Sequence, residues 1–521
     1  MANIVQSSVA FALALLPVQL NALPPEPPPE IEFYISGSTA QDESLENLMR
    51  LKSGIPGTPN ICQDGSLDIY RGQINGIRKR VFYCLTTDSI PGVEAGRRLA
   101  VHKSSGGSGE GVTPVAGGEP VRFINLDDLP QVESCRAPAR VLHTGDLSAY
   151  SNRRACDGGG KRAVPIAGIS DIEPELVGEV SAPLTSRSQA QLVWGLPVSK
   201  NFRNALQAVQ GLVPASVPHD HPSRETMSSM PSLSRLQVAS IYAGTLSSWE
   251  QLYDATGTPL HKSSRLAAAG PDNPDLAGTA PGAYRPDPDT GHAIYVCRRI
   301  AGSGTQASYE IHYLRQRCLA DAPTFVEPDD GSDLARGGDV EKLVRRAQPA
   351  GRVFAGVGTS DVRACLDAHD EFNRWAIGIF STENIGNNAS REFRHIKVDG
   401  YAPTLLNAHH GRWVHVSEPS IQWPSSYDDV LERTDEGRVL RFIARNIGLP
   451  GVVRSLNTSF VHSWGAGGYL ALPGKEFQPL EPPVTEDTLQ EDPVASLTKS
   501  VDGRPRNCNI PLIKTSSSVV R

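Results

Sequence analysis

The stretch "AIYVCRRIAGSGTQASYEIHYLRQRC", residues 293 to 318, decides the fold class. Its apolar start predicts a strand, the glycines and serine that follow predict a tight loop, and the remainder predicts a helix. The same order recurs at residues 31–51 and 189–209. Repeated units of strand, small-residue turn and helix predict an α/β protein, with mainly parallel sheets flanked by helices.

Composition and charge limit the classes of partner. The chain has 521 residues, of which 39% are hydrophobic and 21% charged, as in a soluble globular protein with two or three domains. Lys and Arg number 50 against 57 Asp and Glu, which gives a net charge of −7. This balance argues against a nucleic-acid partner, which would favour a basic face. An anion-binding site must therefore be formed locally.

The N-terminal residues predict export. An apolar stretch at residues 9–18, followed by Ala22, indicates a signal peptide over residues 1–22, although a basic residue near its start is missing. Residues 23–30, "LPPEPPPE", predict a stiff proline-rich linker. No later apolar run approaches the ~20 residues that a membrane helix needs. We expect a periplasmic or secreted mature chain without a transmembrane segment.

The eight cysteines predict disulfide bonds. None forms a Cys-x-x-Cys pair, which argues against zinc and for an oxidising compartment, although buried free thiols remain an alternative. The first six fall in pairs separated by 21 or 22 residues. This spacing favours Cys62–Cys84, Cys135–Cys156 and Cys297–Cys318, and leaves open whether Cys365 pairs with Cys508.

Several turns between a strand and a helix are rich in small hydroxyl residues. They are "SGST" at 36–39, "SSGGS" at 104–108, "ISD" at 169–171 and "RIAGSGT" at 299–305. A helix N-terminus offers free N–H groups and a partial positive charge, glycine allows close approach, and hydroxyls add donors. Together the turns could surround one tetrahedral anion. Taken singly, each could equally be an ordinary helix N-cap.

Arg299 supplies a fixed positive charge beside the last turn. Its planar guanidinium can donate two parallel bonds to an oxyanion, while Ser303, Gly304 and Thr305 offer hydroxyls and amides. Arg298 alternates to the other face of the strand, where we expect solvent or an acidic neighbour.

Asp171 is an unexpected member of this set, because a carboxylate repels an anion. The contact becomes favourable if the anion carries a proton to donate, as phosphate does near neutral pH and sulfate does not. Asp171 would then select for phosphate. The alternative is that Asp171 is the N-cap of a helix in "IEPEL".

These motifs together resemble a known family. The order "SGST", "SSGGS", "GISD", "LSRLQVASIYAGTLSSWEQL", "YVCRRIAGSGTQASYEIHYL" and "AIGIFS" resembles the phosphate-binding proteins of phosphate-specific ABC transport, in the type 2 periplasmic binding protein superfamily. The resemblance implies two α/β lobes, joined by hinge strands near "LVWGLPV" and "WAIGIFS", that close on a dehydrated phosphate. By motif position it implies these ligand-binding residues: Ser38, Thr39, Ser105, Gly106, Asp171, Arg299, Ser303, Gly304 and Thr305.

The resemblance also implies a domain division and a partner. Lobe 1 would comprise residues 31–190 and 380–474, lobe 2 residues 191–379, and residues 475–521 a loosely ordered tail. The implied partners are inorganic phosphate and an ABC transporter permease, with the protein itself a monomer. The family usually has an acidic residue where this chain has Ala301, and the segments 110–165 and 254–290 are additional.

Other functions are weighed against this one. We expect the histidines of "HDH" (219–221) and "AHHGRWVH" (408–415) to be exposed or structural, with no metal and no cofactor bound. A hydrolase using Ser38, Ser105 or Ser303 lacks a Gly-x-Ser-x-Gly motif and an adjacent base, so we do not expect an enzyme. A secreted phosphate-binding or scaffold protein without a transporter remains the alternative.

Overall fold

The computed structural model describes most of the chain. The described residues are 28–52, 59–127, 139–141, 150–154, 160–178, 180–267, 284, 286, 291–328, 352–385, 393–473, 480–510, 512–514 and 519–520. The predicted signal peptide and the predicted pair Cys135–Cys156 lie outside these residues. In the part of the chain that is described, no helix is long and apolar enough to cross a membrane.

The strands are, in chain order, β1 Ile31–Gly37, β2 Leu67–Ile74, β3 Ile77–Leu85, β4 Arg98–Ser104, β5 Val121–Phe123, β6 Ala139–Val141, β7 Tyr150–Arg154, β8 Lys161–Ala163, β9 Ala167–Ser170, β10 Leu184–Ser188, β11 Ala190–Val193, β12 Pro197–Ser199, β13 Ser232–Leu233, β14 Tyr295–Arg299, β15 Val353–Gly356, β16 Ala376–Gly378, β17 Phe393–His395, β18 Lys397–Val398, β19 Val416–Ser417, β20 Ser420–Pro424, β21 Val461–His462, β22 Gly465–Ala466, β23 Tyr469–Ala471, β24 Leu497–Thr498, β25 Leu512–Lys514 and β26 Val519–Val520.

The α-helices are α1 Asp42–Arg50, α2 Thr113–Gly117, α3 Lys200–Val209, α4 Arg235–Tyr242, α5 Ser264–Ala267, α6 Gly304–Tyr309, α7 Thr359–Glu371, α8 Leu405–His409, α9 Asp428–Arg433, α10 Asp435–Asn446, α11 Pro450–Asn457 and α12 Glu486–Glu491. A π-helical turn, Glu310–Leu314, continues α6. The predicted apolar face of α1 is buried, with Leu45, Leu48 and Met49 fully inaccessible.

Two large sheets form the two lobes. The first has nine strands in the order β10-β20-β9-β1-β4-β3-β2-β7-β6, and the second has five in the order β15-β14-β16-β12-β17. The chain leaves the first sheet after β10 and returns to it at β20. The predicted two-lobed α/β architecture is therefore confirmed.

Parallel strands do not dominate either sheet, contrary to the prediction. In the first sheet β1 runs parallel to β4 and β9, but β3 is antiparallel to both β2 and β4. The cause is a hairpin: Asn75 and Gly76, with φ of 53° and 76°, form the two-residue turn that joins β2 to β3. In the second sheet β14 is parallel to its neighbours, whereas β12 is antiparallel to both of its own.

Two strand segments lie side by side where the chain passes between the lobes. The Gly195 amide donates to the Phe380 carbonyl over 3.1 Å, and the Thr382 amide to the Val193 carbonyl over 3.0 Å. Both segments belong to the two motifs for which the sequence predicts a hinge. The predicted lobe boundary at residue 379 is wrong in one respect, because β17 pairs with β12 in the second sheet.

The disulfide prediction is partly confirmed. Cys62 bonds to Cys84 as expected, but Cys297 bonds to Cys365 and Cys318 to Cys508. Helix α7 packs on β14, which brings together cysteines that are 68 residues apart. Regular spacing along the chain could not show this contact.

The C-terminal segment is folded where it is described. Helix α12 contacts α8 and α11, and Asn507 is 3% exposed. The Asn507 amide donates to the Glu173 carboxylate over 2.8 Å and its side chain accepts from the Glu418 amide over 2.9 Å. The prediction of a loosely ordered tail is therefore wrong for residues 480–510.

Candidate functional site

The predicted turns meet where parallel strands end. β1 lies between β4 and β9, with Ser36 opposite Ser104 and Gly37 opposite Ile169, so the three following turns share one edge of the first sheet. The fourth turn follows β14 in the second sheet. It touches the first lobe directly, because the Gly109 amide donates to the Gly302 carbonyl over 3.0 Å.

Asp171 lies at this contact between the lobes and is 3% exposed. The Ser38 hydroxyl donates to one carboxylate oxygen, and the Thr305 hydroxyl, from the other lobe, approaches the second oxygen at 3.4 Å. The Asp171 amide donates to the Ser108 hydroxyl over 3.0 Å. Burial raises the pKa of Asp171 above its ordinary value, while the Ser38 bond and the charge of Arg299 oppose the rise.

The alternative role for Asp171, a helix N-cap, does not fit this geometry. The short helix that follows is Pro174–Leu176, and its N-cap residue is Glu173, which makes no side-chain capping bond. Ser303, in contrast, is the N-cap of α6 and accepts a bond of 3.4 Å from the Gln306 amide.

Arg299 is held by backbone carbonyls and is 3% exposed. Its Nη2 donates to the Val357 carbonyl over 2.5 Å, its Nε to the Gly356 carbonyl over 3.2 Å, and its Nη1 lies 3.3 Å from the Thr359 hydroxyl. Arg299 is thus held by two backbone carbonyls and a hydroxyl, and position 301 is an alanine, which cannot bond to it. Burial lowers the pKa of Arg299 to about 10, so the guanidinium stays charged at neutral pH.

Arg298 confirms the predicted alternation. It points to the other face of β14, where its Nη1 lies 2.7 Å from the Glu327 carboxylate. The sequence predicted either solvent or an acidic neighbour at this face. Arg298 is only 1% exposed, so the acidic neighbour is the observed outcome.

The turn at residues 104–108 forms hydrogen bonds with two carboxylates that were not predicted from the sequence. The Ser105 hydroxyl lies 2.8 Å from both carboxylate oxygens of Asp42, at the start of α1. The Gly106 amide donates to the Glu110 carboxylate over 2.8 Å. Ser105 and Gly106, together with Thr39, line an adjacent cleft.

Lys103 is a fully buried cation that sequence reasoning missed. Its ammonium group donates to the carbonyls of Ser104, Ser38 and Gly37 over 2.7, 3.2 and 3.3 Å, and lies 3.3 Å from the Asp42 carboxylate. Burial lowers the pKa of Lys103, and the nearby Asp42 charge opposes this. The signal in the sequence was a lysine directly before the "SSGGS" turn.

The cleft beside the lobe contact has a volume of about 880 Å³. Its lining includes residues of both lobes: Thr39, Arg78, Ser105, Thr359, Asp361 and Glu383. The side chain of Arg78 is 53% exposed and lies 3.9 Å from the Asp42 carboxylate. The cleft therefore offers a cation that the sequence prediction did not include.

The predicted site residues thus fall in three groups. Ser38, Asp171, Gly304 and Thr305 meet at the contact between the lobes, with Ser108 as an unpredicted neighbour. Thr39, Ser105 and Gly106 line the adjacent cleft. The guanidinium of Arg299 is turned to the backbone at residues 356–359, and Ser303 caps α6.

The two histidine motifs form no metal-binding cluster among the described residues. His409 is bonded to the Val494 carbonyl at 2.8 Å, and His415 lies 3.3 Å from the Ser308 hydroxyl. His221 is the N-cap of a short helical turn. These contacts agree with the structural roles predicted for them.

Comparisons with known proteins give distant similarities. No family model and no curated protein matches the chain. Among solved structures, a putative phosphate ABC transporter substrate-binding protein with bound phosphate from Clostridium perfringens is 13% identical, with 82% of this chain and 97% of that chain covered and a TM-score of 0.35. PstS from Borrelia burgdorferi is 10% identical, with 82% of this chain and 97% of that chain covered and a TM-score of 0.32. A possible phosphate-binding protein from Planctomyces limnophilus is 9% identical, covering 85% of this chain and 93% of that chain, also at 0.32.

Proposed function

We infer that the protein binds inorganic phosphate, or a similar tetrahedral oxyanion, between its two lobes. The observation that carries this proposal is Asp171, a buried carboxylate that accepts the Ser38 hydroxyl from its own lobe and faces the Thr305 hydroxyl of the other. A ligand that bridges these groups must offer acceptors to hydroxyls and amides and a proton to the carboxylate. Monoprotonated phosphate has both.

The charges around this point suit an anion. Arg299 and Lys103 are buried cations whose charges lower the pKa of Asp171. Backbone carbonyls hold both groups in the present structure, so we expect Arg299 to exchange part of these bonds for bonds to the oxyanion when it enters. Asp171 would make sulfate, which has no proton to donate near neutral pH, an unfavourable ligand.

Binding would be coupled to movement of the lobes. Gly109 and Gly302 already touch across the interface, and Asp171 is buried at the same contact between the lobes. We propose that the lobes separate about the segments that contain Gly195 and Phe380, admit the anion, and close on it. Such opening and closing is the property that a transport receptor needs, so uptake of phosphate by an exported protein with a permease partner is part of the proposal.

An enzymatic function has less support. The hydroxyls of Ser38 and Ser105 donate to the carboxylates of Asp171 and Asp42, and Ser303 caps a helix. A serine nucleophile needs an adjacent base such as histidine or lysine, and no bond of this kind is made by these three serines in the described part of the chain. We propose binding without chemistry.

Calorimetric titration tests the proposal. The mature chain, dialysed exhaustively against phosphate-free buffer, is titrated near neutral pH with phosphate, arsenate and sulfate. We expect phosphate and arsenate to bind and sulfate to be rejected. Asp171→Asn should weaken phosphate binding at least about tenfold, equivalent to about 1.4 kcal/mol, and reduce the discrimination against sulfate.

A matched variant controls for the loss of one negative charge. Asp321 is exposed, and Asp321→Asn should titrate like the parent protein. Failure of the parent protein to bind either phosphate or arsenate would overturn the proposal. Equal titrations for the two Asp→Asn variants would remove Asp171 from the site.

A further inference from the structure

A second polar cluster lies in the second lobe, apart from the lobe contact and the cleft. The carboxylate of Glu250 and the imidazoles of His261 and His292 each bring one ligand atom within 4.8 Å of the others. None of the three belongs to the histidine motifs that stand out in the sequence. Glu250 lies in the turn Trp249–Gln251, His261 in the turn Leu260–Lys262, and His292 shortly before β14.

His261 has an unusual environment. It is 5% exposed, and neither of its ring nitrogens has a hydrogen-bond partner in the part of the chain that is described. The Trp249 backbone lies nearby but outside hydrogen-bond geometry. A buried polar group without a partner is uncommon, and an ion that binds it is one of the standard explanations.

His292 is oriented as a metal ligand would be. The Tyr284 hydroxyl is bonded to its Nδ1 at 2.8 Å, which leaves Nε2 for another partner. A hydrogen bond on the other ring nitrogen is the usual means of fixing a ligating histidine. The ring centroids of His261 and His292 are 4.2 Å apart.

The backbone that carries the three residues is firmly held. Ser248 caps the turn Trp249–Gln251, and the Trp249 amide donates to the His292 carbonyl over 2.8 Å. The Leu260 amide donates to the Leu252 carbonyl over 2.7 Å, so the turn Leu260–Lys262 is fixed to the first one. The three ligand groups are therefore placed by a network of backbone bonds rather than by a loose loop.

We propose that Glu250, His261 and His292 bind a Zn²⁺ ion. Two imidazole nitrogens and one carboxylate oxygen are a ligand set that zinc uses, with a water in the fourth position. Zinc bonds of about 2.0–2.2 Å require the ligand atoms to be roughly 3.3 Å apart. In this structure the ligand atoms lie within 4.8 Å of one another, so they must move closer together when zinc binds. Glu250 can supply this movement, because its side chain is 53% exposed and, among the described residues, its ion-pair partner is Lys262 alone, at 4.0 Å.

Zinc titration of the full mature chain, without a histidine tag and after treatment with a chelator, tests this proposal. We expect one Zn²⁺ per chain. We expect Glu250→Gln to weaken zinc binding at least about tenfold, because loss of a group that only orients a zinc ligand already costs about tenfold in affinity. Because Glu250 is exposed, this variant should keep the fold. His292→Ala should weaken binding further.

A surface histidine provides the control. His410 is exposed, and His410→Ala should bind Zn²⁺ as the parent protein does. Co²⁺ gives a second readout, since four-coordinate Co²⁺ absorbs in the visible and should quench the fluorescence of Trp249, which adjoins Glu250. Absence of saturable Zn²⁺ binding, or equal affinity in the Glu250→Gln, His292→Ala and parent proteins, would overturn the proposal. Neither result depends on phosphate binding.

Discussion

Gly304 lies so close to Asp171 that an added side-chain carbon would not fit between them. A Cβ at Gly304 would lie 2.8 Å from the Asp171 Cβ and 2.1 Å from the Ser108 hydroxyl. Gly304 starts α6 in one lobe, whereas Asp171 follows β9 in the other. The absence of a side chain at this position therefore permits the lobes to meet.

We expect Gly304→Ala to weaken phosphate binding at least about tenfold, or about 1.4 kcal/mol, because the lobes could no longer close fully around the anion. The measurement is calorimetric titration with phosphate. Gly178→Ala is the control, since a Cβ there meets nothing within 4 Å. Unchanged affinity in Gly304→Ala would mean that the ligand does not require this close approach.

Substitutions of Arg299 test whether phosphate binding needs only a positive charge at this position or the planar guanidinium group itself. Its contacts with the Val357 and Gly356 carbonyls suit a guanidinium, which a lysine cannot imitate. We expect Arg299→Lys to weaken phosphate binding and Arg299→Ala to weaken it more, by at least about tenfold. Arg412→Ala, at an exposed position, should leave the titration unchanged. Equal affinities in all three variants would place Arg299 outside the site.

Lys103 and Asp42 form a buried pair that supports the first turn. Removing Lys103 leaves the Asp42 charge buried and withdraws the donor from the Ser38 carbonyl. We expect Lys103→Met to lower the free energy of unfolding by about 1–3 kcal/mol, measured by urea denaturation, because Arg78 and Arg80, at 3.9 and 4.0 Å, still compensate the Asp42 charge. The double variant Lys103→Met/Asp42→Asn should recover part of this loss. A double variant as unstable as the sum of both single variants would contradict the pairing.

The sequence predicted those features that local pattern determines. The strand, turn and helix at residues 31–51 and at 293–314 have a regular order of apolar and small residues, and both folded as expected. The meeting of Ser38 with Asp171 could also be anticipated, because each follows a parallel strand of the same sheet. Parallel strands bring their carboxyl ends to one edge.

Features that depend on distant contacts could not be predicted in this way. Cys297 pairs with Cys365 only because α7 packs on β14, and no spacing rule reports that packing. Lys103 resembles any lysine at a strand end until its burial is known. The hairpin turn at Asn75 and Gly76 did carry a local signal, and recognising it would have corrected the expectation of mainly parallel sheets.

The hydroxyl of Tyr469 lies between two acceptors, the Glu383 carboxylate and the Ala40 carbonyl. The Tyr469 hydroxyl lies 2.5 Å from the Glu383 carboxylate and also contacts the Ala40 carbonyl, but it has only one proton to donate. Both contacts are satisfied if Tyr469 donates to Ala40 and accepts from a protonated Glu383. Burial, together with the charges of Asp171 and Glu43, raises the pKa of Glu383 to about 8 and favours this protonated form.

This arrangement predicts how stability depends on pH. Between the ordinary pKa of 4.5 and the raised value of about 8, the folded state binds a proton at Glu383 that the unfolded state does not. The free energy of unfolding should therefore fall as pH rises through this range, by an amount on the order of 2 kcal/mol after allowance for the partial exposure of Glu383. Glu383→Gln keeps a neutral donor for Tyr469 and should remove this decline.

Urea denaturation at several pH values between 5 and 8 compares the parent protein with the Glu383→Gln variant. The variant should gain stability relative to the parent protein as pH rises, because only in the parent protein does unfolding free a carboxyl group that then ionises in this pH range. Glu119→Gln, at an exposed position, should show no such trend. A difference between Glu383→Gln and the parent protein that stays constant with pH would mean that Glu383 is already ionised, and Tyr469 would then have to donate its single proton to the carboxylate instead of to Ala40.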